Sequence, residues 1–512
     1  MNASVNPAVV PPTAREELVA RGQFALRALA LLLLFSGAAV YESVRLSSLN
    51  APDVWIHLQT GTWMLENHTI PRSGVFSQYS NLSWNDSSWG FDLTLGIAYR
   101  IFGLRAIPLL QMGLAAAVAL VTFLLARSRR AGFWQALVLS AIAQYVLSGL
   151  QPLPYVFSIL FFAIALRLLL DSRYSGSVRE LYWLPVLFLA WANVHIGFVL
   201  GLILLGVFLT ALTIEEWLRT LSVPWLNKAI LPLPLRLVSA IAALSALATC
   251  VTPYGYRPLA TFLQVLYSEV GFQHFAEMSA MSFRRPQDYA LMLMVMMAFL
   301  ALGRRRSLEL FELLVLLGGT AIAFRIQRDG WMVVLAAVGA LSRSSIIERR
   351  AGQRQSEMAP GWKWGVVVVT AIVIVIAGVR LPDRNALMNR VRQNFPMSAC
   401  DFIASNRLPQ PLFNEYAFGS FLTWYLPQYP VVVDSRAELY ADKVLSEYFD
   451  VVGGKERLDS HPMIARARTL LLERNSAIAK ALKNLPALRA QYRLVYSDDL
   501  ADVFVSQSDQ SQ

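Results

Sequence analysis

Two side chains that can carry a proton lie close together near the start of the chain. Asp53 and His57 are four residues apart, so they share one face if the segment around them is helical. A carboxylate here can act as a general base that deprotonates an acceptor hydroxyl, with the imidazole orienting it or contacting a phosphate. The alternative is an interfacial amphipathic helix that Asp53 caps at its N-terminus and that Trp55 and Trp63 anchor.

A second set of polar side chains suits the binding of an anionic ligand. Arg325 and Arg328 follow an apolar run, and guanidinium groups bind phosphate through paired hydrogen bonds. The alternative is that both arginines anchor the apolar run at a membrane surface. The remaining candidates for ligand binding are Asp86, Asp92, Asn193, His195, Tyr254, Asp434, Arg436 and Glu438.

Several of these candidates also have a structural explanation. Asn193 and His195 lie in an apolar helix end, where hydrogen bonds between helices are expected. Tyr254 follows a proline that can end a helix. Asp434 and Arg436 follow a predicted strand, where α/β domains tend to bind ligands, but a structural ion pair explains them equally well.

The composition indicates that these residues belong to a membrane protein. The chain of 512 residues is 56% hydrophobic and 15% charged, whereas soluble domains carry roughly 25% charged residues. Apolar runs of spanning length recur between residues 24 and 380 and predict about eleven transmembrane helices. The net charge of +11 is concentrated in short Arg-rich loops at 127–130, 304–306 and 343–354, which indicates cytoplasmic loops and argues against a nucleic-acid partner.

The apolar runs and basic loops divide the chain into three regions. Residues 1–23 are predicted to be a cytoplasmic tail, because they lack the pattern of a cleavable signal peptide. Residues 24–380 form the membrane domain, and its first outer loop covers residues 44–90. An odd number of spans then places residues 381–512 on the extracytoplasmic side.

The C-terminal region alternates between strand-like and helix-like patterns. Strand-like apolar stretches occur at 411–425 and 429–434, and residues 437–451 are helix-like. A hairpin is predicted around Asp498 and Asp499. This alternation predicts a small α/β domain.

On this topology, polar residues from distant spans meet at the outer ends of the helices. The sequence therefore predicts a cavity that opens outward beneath the C-terminal domain. Ionisable groups at membrane depth are costly and mostly functional. A transporter would instead place such groups near the midplane, on broken helices in repeated halves.

Motifs rich in Trp, Asn and Gly are spread over nearly the whole chain, at 53–63, 70–77, 84–89, 191–198, 252–255, 413–422 and 430–440. In these motifs the chain resembles a bacterial family of GT-C-type membrane glycosyltransferases. That family is related to the lipid-phosphate-sugar-dependent mannosyl- and arabinosyltransferases. The resemblance implies a GT-C-like helical membrane domain and identifies Asp53 with the first-loop acid that such enzymes use as catalytic base.

The chain departs from the family pattern at two places. Relatives often carry a second acid where this chain has Asn50, and a His-Glu pair where it has Ser87 and Ser88. Asp86 or Asp92 can substitute for the missing acids. These departures weaken a metal-dependent mechanism, so no cofactor is assigned and a divalent cation stays an open question.

The function that follows from the resemblance is the transfer of a sugar from a polyprenyl-phosphate-linked donor to an acceptor on the extracytoplasmic face, in a bacterial inner membrane. The first alternative is a non-catalytic scaffold or lipid-binding protein of envelope biogenesis, which the missing acids favour. The second alternative is a transporter. The expected partners are the lipid-linked donor and membrane lipids.

Overall fold

The computed structural model describes residues 14–127, 132–221, 232–305, 309–343, 361–454, 458 and 461–507. Most of the predicted cytoplasmic tail lies outside these residues, as do residues 128–130, 306 and 344–354 of the three basic loops.

The first part of the chain is helical. Its α-helices are α1 Ala14–Arg45, α2 Asp53–Asn67, α3 Trp89–Phe102, α4 Ala106–Ala126, α5 Phe133–Val146, α6 Tyr155–Ser175, α7 Leu184–Ala192, α8 Phe198–Thr220, α9 Leu235–Ala248, α10 Arg257–Leu266, α11 Glu269–His274, α12 Pro286–Gly303, α13 Leu310–Arg325, α14 Trp331–Arg343 and α15 Gly361–Val379. Short 3₁₀ helices lie at Ser47–Asn50, Gly103–Arg105, Arg179–Trp183, Ala276–Met278 and Gln327–Gly330.

The second part mixes helices and strands. Its elements are α16 Arg384–Arg392, α17 Met397–Ser405, β1 Leu412–Asn414, α18 Tyr416–Tyr425, α19 Ala437–Val452, α20 Pro462–Ala465, β2 Thr469–Glu473, α21 Ala477–Asn484, α22 Pro486–Gln491, β3 Tyr492–Ser497 and β4 Ala501–Ser506.

Several helices are suited to a lipid bilayer. Among the described residues, five segments are long and apolar enough to cross a membrane: Arg21–Glu42, Trp89–Ala126, Tyr155–Ser175, Phe198–Thr220 and Pro286–Gly303. The helices Gly365–Val379 and Arg384–Arg392 meet at a bend of 78°. If they form one broken span, the number of such segments is six. The chain is therefore an integral membrane protein, and the figure of eleven spans stays a prediction, since α5, α7, α9, α13 and α14 are shorter than a full span.

Helix α14 forms the centre of the helical bundle. All of its residues are buried, and it packs against α4, α5, α6, α12 and α13. A helix that is apolar on every side is expected to lie in the interior, where each face finds an apolar partner.

At two glycines the backbones of α2 and α3 are in direct contact. A Cβ atom on Gly61 would overlap the carbonyl oxygen of Asp92, and one on Gly96 would lie 2.6 Å from the carbonyl carbon of Gly61. This close packing positions the two proton-carrying side chains of α2 relative to the start of α3.

The C-terminal region contains a four-stranded sheet in the order β1-β2-β4-β3. Strands β1 and β2 are parallel and the other pairs are antiparallel, so the predicted hairpin of β3 and β4 is confirmed. The strand-like prediction for 411–425 was right only at β1, because Phe418, Phe421 and Leu422 recur at helical spacing and are buried on α18.

The second predicted strand, 429–434, is largely wrong. It contributes a single parallel bridge from Val431 to Ser77 in the first outer loop. The segment is buried and apolar, which is the pattern that favoured a strand, but it pairs with the loop instead of joining the sheet.

Helix α2 packs against α18 of the C-terminal region. Trp55 is completely buried, with its ring centroid 4.6 Å from that of Trp424, 5.5 Å from Phe421 and 5.8 Å from Phe395. Trp55 is thus a core residue and not an anchor at the membrane surface. The first outer loop and the C-terminal region form one packed unit around the start of α2.

Candidate functional site

Asp53 is the first residue of α2 and lies where four parts of the chain meet. The charges of Glu277, His57 and Arg328 act on its carboxylate, and the nearby Ser435 hydroxyl favours its ionised form. Glu277 and Arg328 belong to two 3₁₀ helices, and Ser435 belongs to the loop before α19. The carboxylate therefore faces the membrane domain on one side and the C-terminal region on the other.

The environment of Asp53 raises the pKa of its carboxyl to about 6. Burial is the largest cause, and the negative charge of Glu277 adds to it; His57, Ser435 and Arg328 act in the opposite direction. A carboxyl with a pKa near 6 is mostly ionised at pH 7 and still basic enough to take a proton from a hydroxyl during a reaction.

His57 connects α2 to α3 through a hydrogen bond. Its Nδ1 atom lies 2.7 Å from Oδ1 of the buried Asp92. Burial lowers the pKa of His57, although nearby carboxylates, Asp86 foremost, act the other way. One proton lies between these two atoms, and either the imidazole or the carboxyl can hold it.

Asp86 lies beside this pair, in the loop that leads into α3. Its Oδ1 atom accepts a hydrogen bond of 2.9 Å from the backbone N–H of Ser88. Burial, followed by the negative charge of Asp92, raises the pKa of Asp86 well above its ordinary value. Asp86 therefore shares a crowded pocket of carboxyl groups with His57.

The two arginines differ in their positions. Arg328 Nη1 lies 3.1 Å from Oε1 of Glu277, and its charge acts on Asp53. Arg325 is exposed over the ring of Phe272, with 5.6 Å from its Cζ atom to the ring centroid, and is not among the charges that act on Asp53. The structure thus brings Arg328, but not Arg325, to the candidate base.

Asp434 and Arg436 form a buried ion pair between the first loop and the C-terminal region. Arg436 Nη2 lies 2.6 Å from Oδ2 of Asp434, and Nη1 donates to the carbonyl of Val75 at 2.9 Å. The guanidinium carbon lies 4.6 Å from the ring centroid of Trp84, whose Nε1–H donates to Glu438 Oε1 at 3.1 Å. These contacts occupy all three side chains in holding the loop, which favours the structural explanation over ligand binding.

Asn193 and Tyr254 also make contacts that join segments. Asn193 Oδ1 accepts from Trp89 Nε1 at 3.1 Å, and its Nδ2 donates to the Val251 carbonyl at 2.9 Å. The hydroxyl of Tyr254 donates to the Pro71 carbonyl at 2.7 Å. Both residues fasten the first loop or α3 to the helices around them.

Several residues around Asp53 were not predicted to act on it. Glu277 and Ser435 act on its carboxylate, and Asp53 in turn acts on the hydroxyls of Tyr155 and Tyr416. Tyr416 and Ser435 lie in the motifs at 413–422 and 430–440, but nothing in the sequence links them to Asp53, because the contact joins distant segments.

A metal site would require several ligating side chains close together. Within the described ranges, no group of three His, Cys, Asp or Glu side chains is arranged to hold a metal ion. The carboxyls near Asp53 are instead engaged with His57, Ser88 or Arg328. We therefore assign no residue as a metal ligand.

Comparison with known proteins finds similarity at the level of three-dimensional structure only. No protein-family profile and no curated protein sequence matches the chain. The archaeal oligosaccharyltransferase AglB from Archaeoglobus fulgidus, in complex with an inhibitory peptide and a dolichol-phosphate, superposes with a TM-score of 0.50 at 13% identity, over 94% of this chain and 74% of AglB. The chain shares the fold of AglB.

ArnT from Cupriavidus metallidurans bound to undecaprenyl phosphate is also similar, at 15% identity over 96% of this chain and 99% of ArnT. Its TM-score of 0.48 is too low to establish a shared fold by itself.

Proposed function

We propose that the protein is a GT-C-type membrane glycosyltransferase, which transfers a sugar from a polyprenyl-phosphate-linked donor to an acceptor hydroxyl on the extracytoplasmic face. The observation that carries the proposal is the environment of Asp53: a carboxyl of pKa about 6 beside the cationic Arg328, under a loop of the C-terminal region. The shared fold with AglB, whose complex contains a dolichol-phosphate, supports it.

In the proposed reaction, Asp53 accepts the proton of the acceptor hydroxyl. The acceptor oxygen forms a bond to the anomeric carbon of the sugar, and the bond from that carbon to the phosphate oxygen breaks. Polyprenyl phosphate leaves with the bonding electron pair. The protein contributes by holding the groups in line and stabilising the charge of the leaving phosphate.

Arg328 is the proposed ligand of the donor phosphate. Its side chain is 36% exposed and that of Glu277 is 57% exposed. Ion pairs between exposed groups contribute little stability, so a phosphate can displace Glu277 at small cost. A guanidinium forms two parallel hydrogen bonds with phosphate oxygens, which suits this exchange.

The proposal includes an arrangement in the membrane. Residues 1–23 lie in the cytoplasm, residues 24–380 form the membrane domain, and residues 381–512 form an extracytoplasmic domain that covers the site or holds the acceptor. The contact of Ser435 with Asp53 and the packing of α2 on α18 support this arrangement. The membrane is the inner membrane of a bacterium in this proposal.

One observation favours a non-catalytic, lipid-binding protein of the same fold. Asn50 stands where relatives often have a second acid, and its Oδ1 atom accepts a hydrogen bond of 3.0 Å from Asn394 Nδ2. The position thus joins the first loop to the C-terminal region instead of adding a charge near Asp53.

The test uses the purified full-length protein with undecaprenyl-phosphate-linked hexoses and pentoses and total membrane lipid as acceptor. The readout is release of undecaprenyl phosphate. Asp53→Asn should slow release by about 10²- to 10⁴-fold, while Asp499→Asn, in an exposed pair with Arg474, should not. Undiminished release by Asp53→Asn overturns the base, and binding of undecaprenyl phosphate without turnover of any donor favours the lipid-binding alternative.

A further inference from the structure

Three side chains from α6, α7 and the turn before α8 form a chain of hydrogen bonds. The Trp191 Nε1–H donates to Ser158 Oγ at 2.7 Å, and Ser158 Oγ lies 2.7 Å from His195 Nδ1. The backbone N–H of Gly197 also donates to His195 Nδ1, at 3.1 Å. Donors therefore meet His195 Nδ1 from two sides.

This arrangement determines which ring nitrogen of His195 carries the proton. The Gly197 N–H favours an unprotonated Nδ1 at 3.1 Å, and the closer Ser158 hydroxyl, at 2.7 Å, strengthens this preference. Ser158 accepts from Trp191, which leaves its own hydroxyl proton free to donate to Nδ1. The proton of a neutral His195 is thus on Nε2.

The packing leaves little room for another arrangement. A Cβ atom on Gly197 would overlap Ser158 Oγ and lie 2.8 Å from His195 Nδ1. A Cβ atom on Gly201 would overlap the ring of Trp191. The two glycines admit the hydrogen-bonded side chains at close range, and this accounts for the glycine at position 197 of the motif at 191–198.

His195 lies beside the candidate site. The charges of Arg328 and His57 act on the ring, which is partly exposed. Within the described ranges, the hydrogen bonds of the ring involve Nδ1 alone. His57 uses its Nδ1 in the hydrogen bond with Asp92. Phosphate oxygens accept hydrogen bonds, so a His195 ring with its proton on Nε2 suits a phosphate.

We infer that Ser158 is a positioning residue that holds His195 as an Nε2–H donor to the phosphate of the lipid-linked donor, beside Arg328. The inference rests on the proposed function for the identity of the ligand, but the tautomer rests on the hydrogen bonds alone. It also assigns the phosphate contact to His195, where the sequence had allowed His57.

The experiment measures the tautomer of His195 and the binding of undecaprenyl phosphate, both in the full-length protein in nanodiscs. The chain contains five histidines, so the ring-nitrogen NMR spectrum of ¹⁵N-histidine-labelled protein is simple, and a His195→Gln variant assigns the signal. The binding probe is undecaprenyl phosphate. Ser158→Ala is compared with Ser245→Ala, which removes a buried hydroxyl that bonds only to the Ile241 carbonyl on α9.

Wild type and Ser245→Ala should show the Nε2–H tautomer at His195. Ser158→Ala should give a mixture of tautomers and weaken binding by about tenfold, as expected for losing most of one hydrogen bond to a charged group. A thermal unfolding curve of Ser158→Ala like that of Ser245→Ala shows that the fold is retained.

An Nδ1–H tautomer in the wild type, or an unchanged tautomer in Ser158→Ala, overturns the positioning role whatever the affinity. A changed tautomer with unchanged affinity overturns the phosphate contact. If the wild type binds no undecaprenyl phosphate, the proposed function and the phosphate contact fail together, and the nitrogen spectrum still decides the role of Ser158.

Discussion

His57 Nδ1 lies 2.7 Å from Asp92 Oδ1, and this hydrogen bond joins the helix that carries the candidate base to the helix beside it. Because Asp92 is buried at 1% exposure, the bond holds the imidazole in place one turn after Asp53 on α2. The pair thus supports the base without taking part in the proposed proton transfer.

We expect the transfer rate to rise with pH through about 6. Asp53 has to be ionised to act as a base, and burial together with the charge of Glu277 raises its pKa to that value. Removing the charge should lower this pKa, so Glu277→Gln should move the acidic limb of the pH–rate profile to lower pH. The measurement is kcat/KM between pH 4.5 and 8.

The matched control for this prediction is Glu269→Gln. Glu269 is an exposed acid at the start of α11, in the same outer segment as Glu277, and is not among the charges that act on Asp53. A profile of Glu277→Gln that keeps the wild-type limb would show that a group other than Asp53 sets the pH dependence.

The two arginines should differ in their effect on donor binding. Arg328→Gln should weaken the binding of undecaprenyl phosphate by about 10- to 100-fold, the range expected for losing charge-assisted hydrogen bonds. Arg325→Gln should change it by less than about twofold, because Arg325 is exposed over Phe272. Isothermal titration with both variants checks this, and equal losses would show that the two residues act as one anchor.

Much of this site could be predicted from residue type and position along the spans. Asp53, His57, Arg328 and His195 were all expected at the outer ends of helices, and the structure brings their charges within reach of one another. Their roles stay predictions. The expectation rests on a simple fact: polar groups are costly in lipid, so those in or beside apolar runs are few and conspicuous.

The rest of the site could not be predicted because it depends on contacts between distant segments. Glu277 and Ser435 are ordinary polar residues of outer loops, and only the tertiary fold brings them to Asp53. Ser158 is a small residue inside an apolar helix, where nothing local distinguishes it from a residue that packs. In the C-terminal region, α18 has the apolar composition of a strand, and its helical spacing becomes clear only from which residues are buried.

Arg436→Gln should destabilise the protein more than it affects the reaction itself. The change leaves Asp434 buried without its partner, and such a loss costs about 3–5 kcal/mol. The thermal unfolding temperature of purified protein in detergent should fall clearly, with loss of the packing between loop and C-terminal region. Arg474→Gln, in the exposed pair with Asp499, is the control and should leave it nearly unchanged. A normal unfolding temperature with a selective loss of transfer would instead point to a ligand-binding role for Arg436.

Gly61→Ala should lower both stability and transfer, because the added Cβ atom overlaps the carbonyl oxygen of Asp92 where α2 meets α3. Overpacking of this kind costs roughly 1–3 kcal/mol, and separating the helices would also move His57 from Asp92. Gly206→Ala on α8 is the matched control, since a Cβ atom there has nothing within 4 Å, and a helical Gly→Ala change alone favours the helix by about 0.5–1 kcal/mol. Thermal unfolding and transfer assays of both variants test this. An unfolding temperature of Gly61→Ala at or above that of the wild type would mean that the two helices separate at no cost, and that their close contact does not position the site.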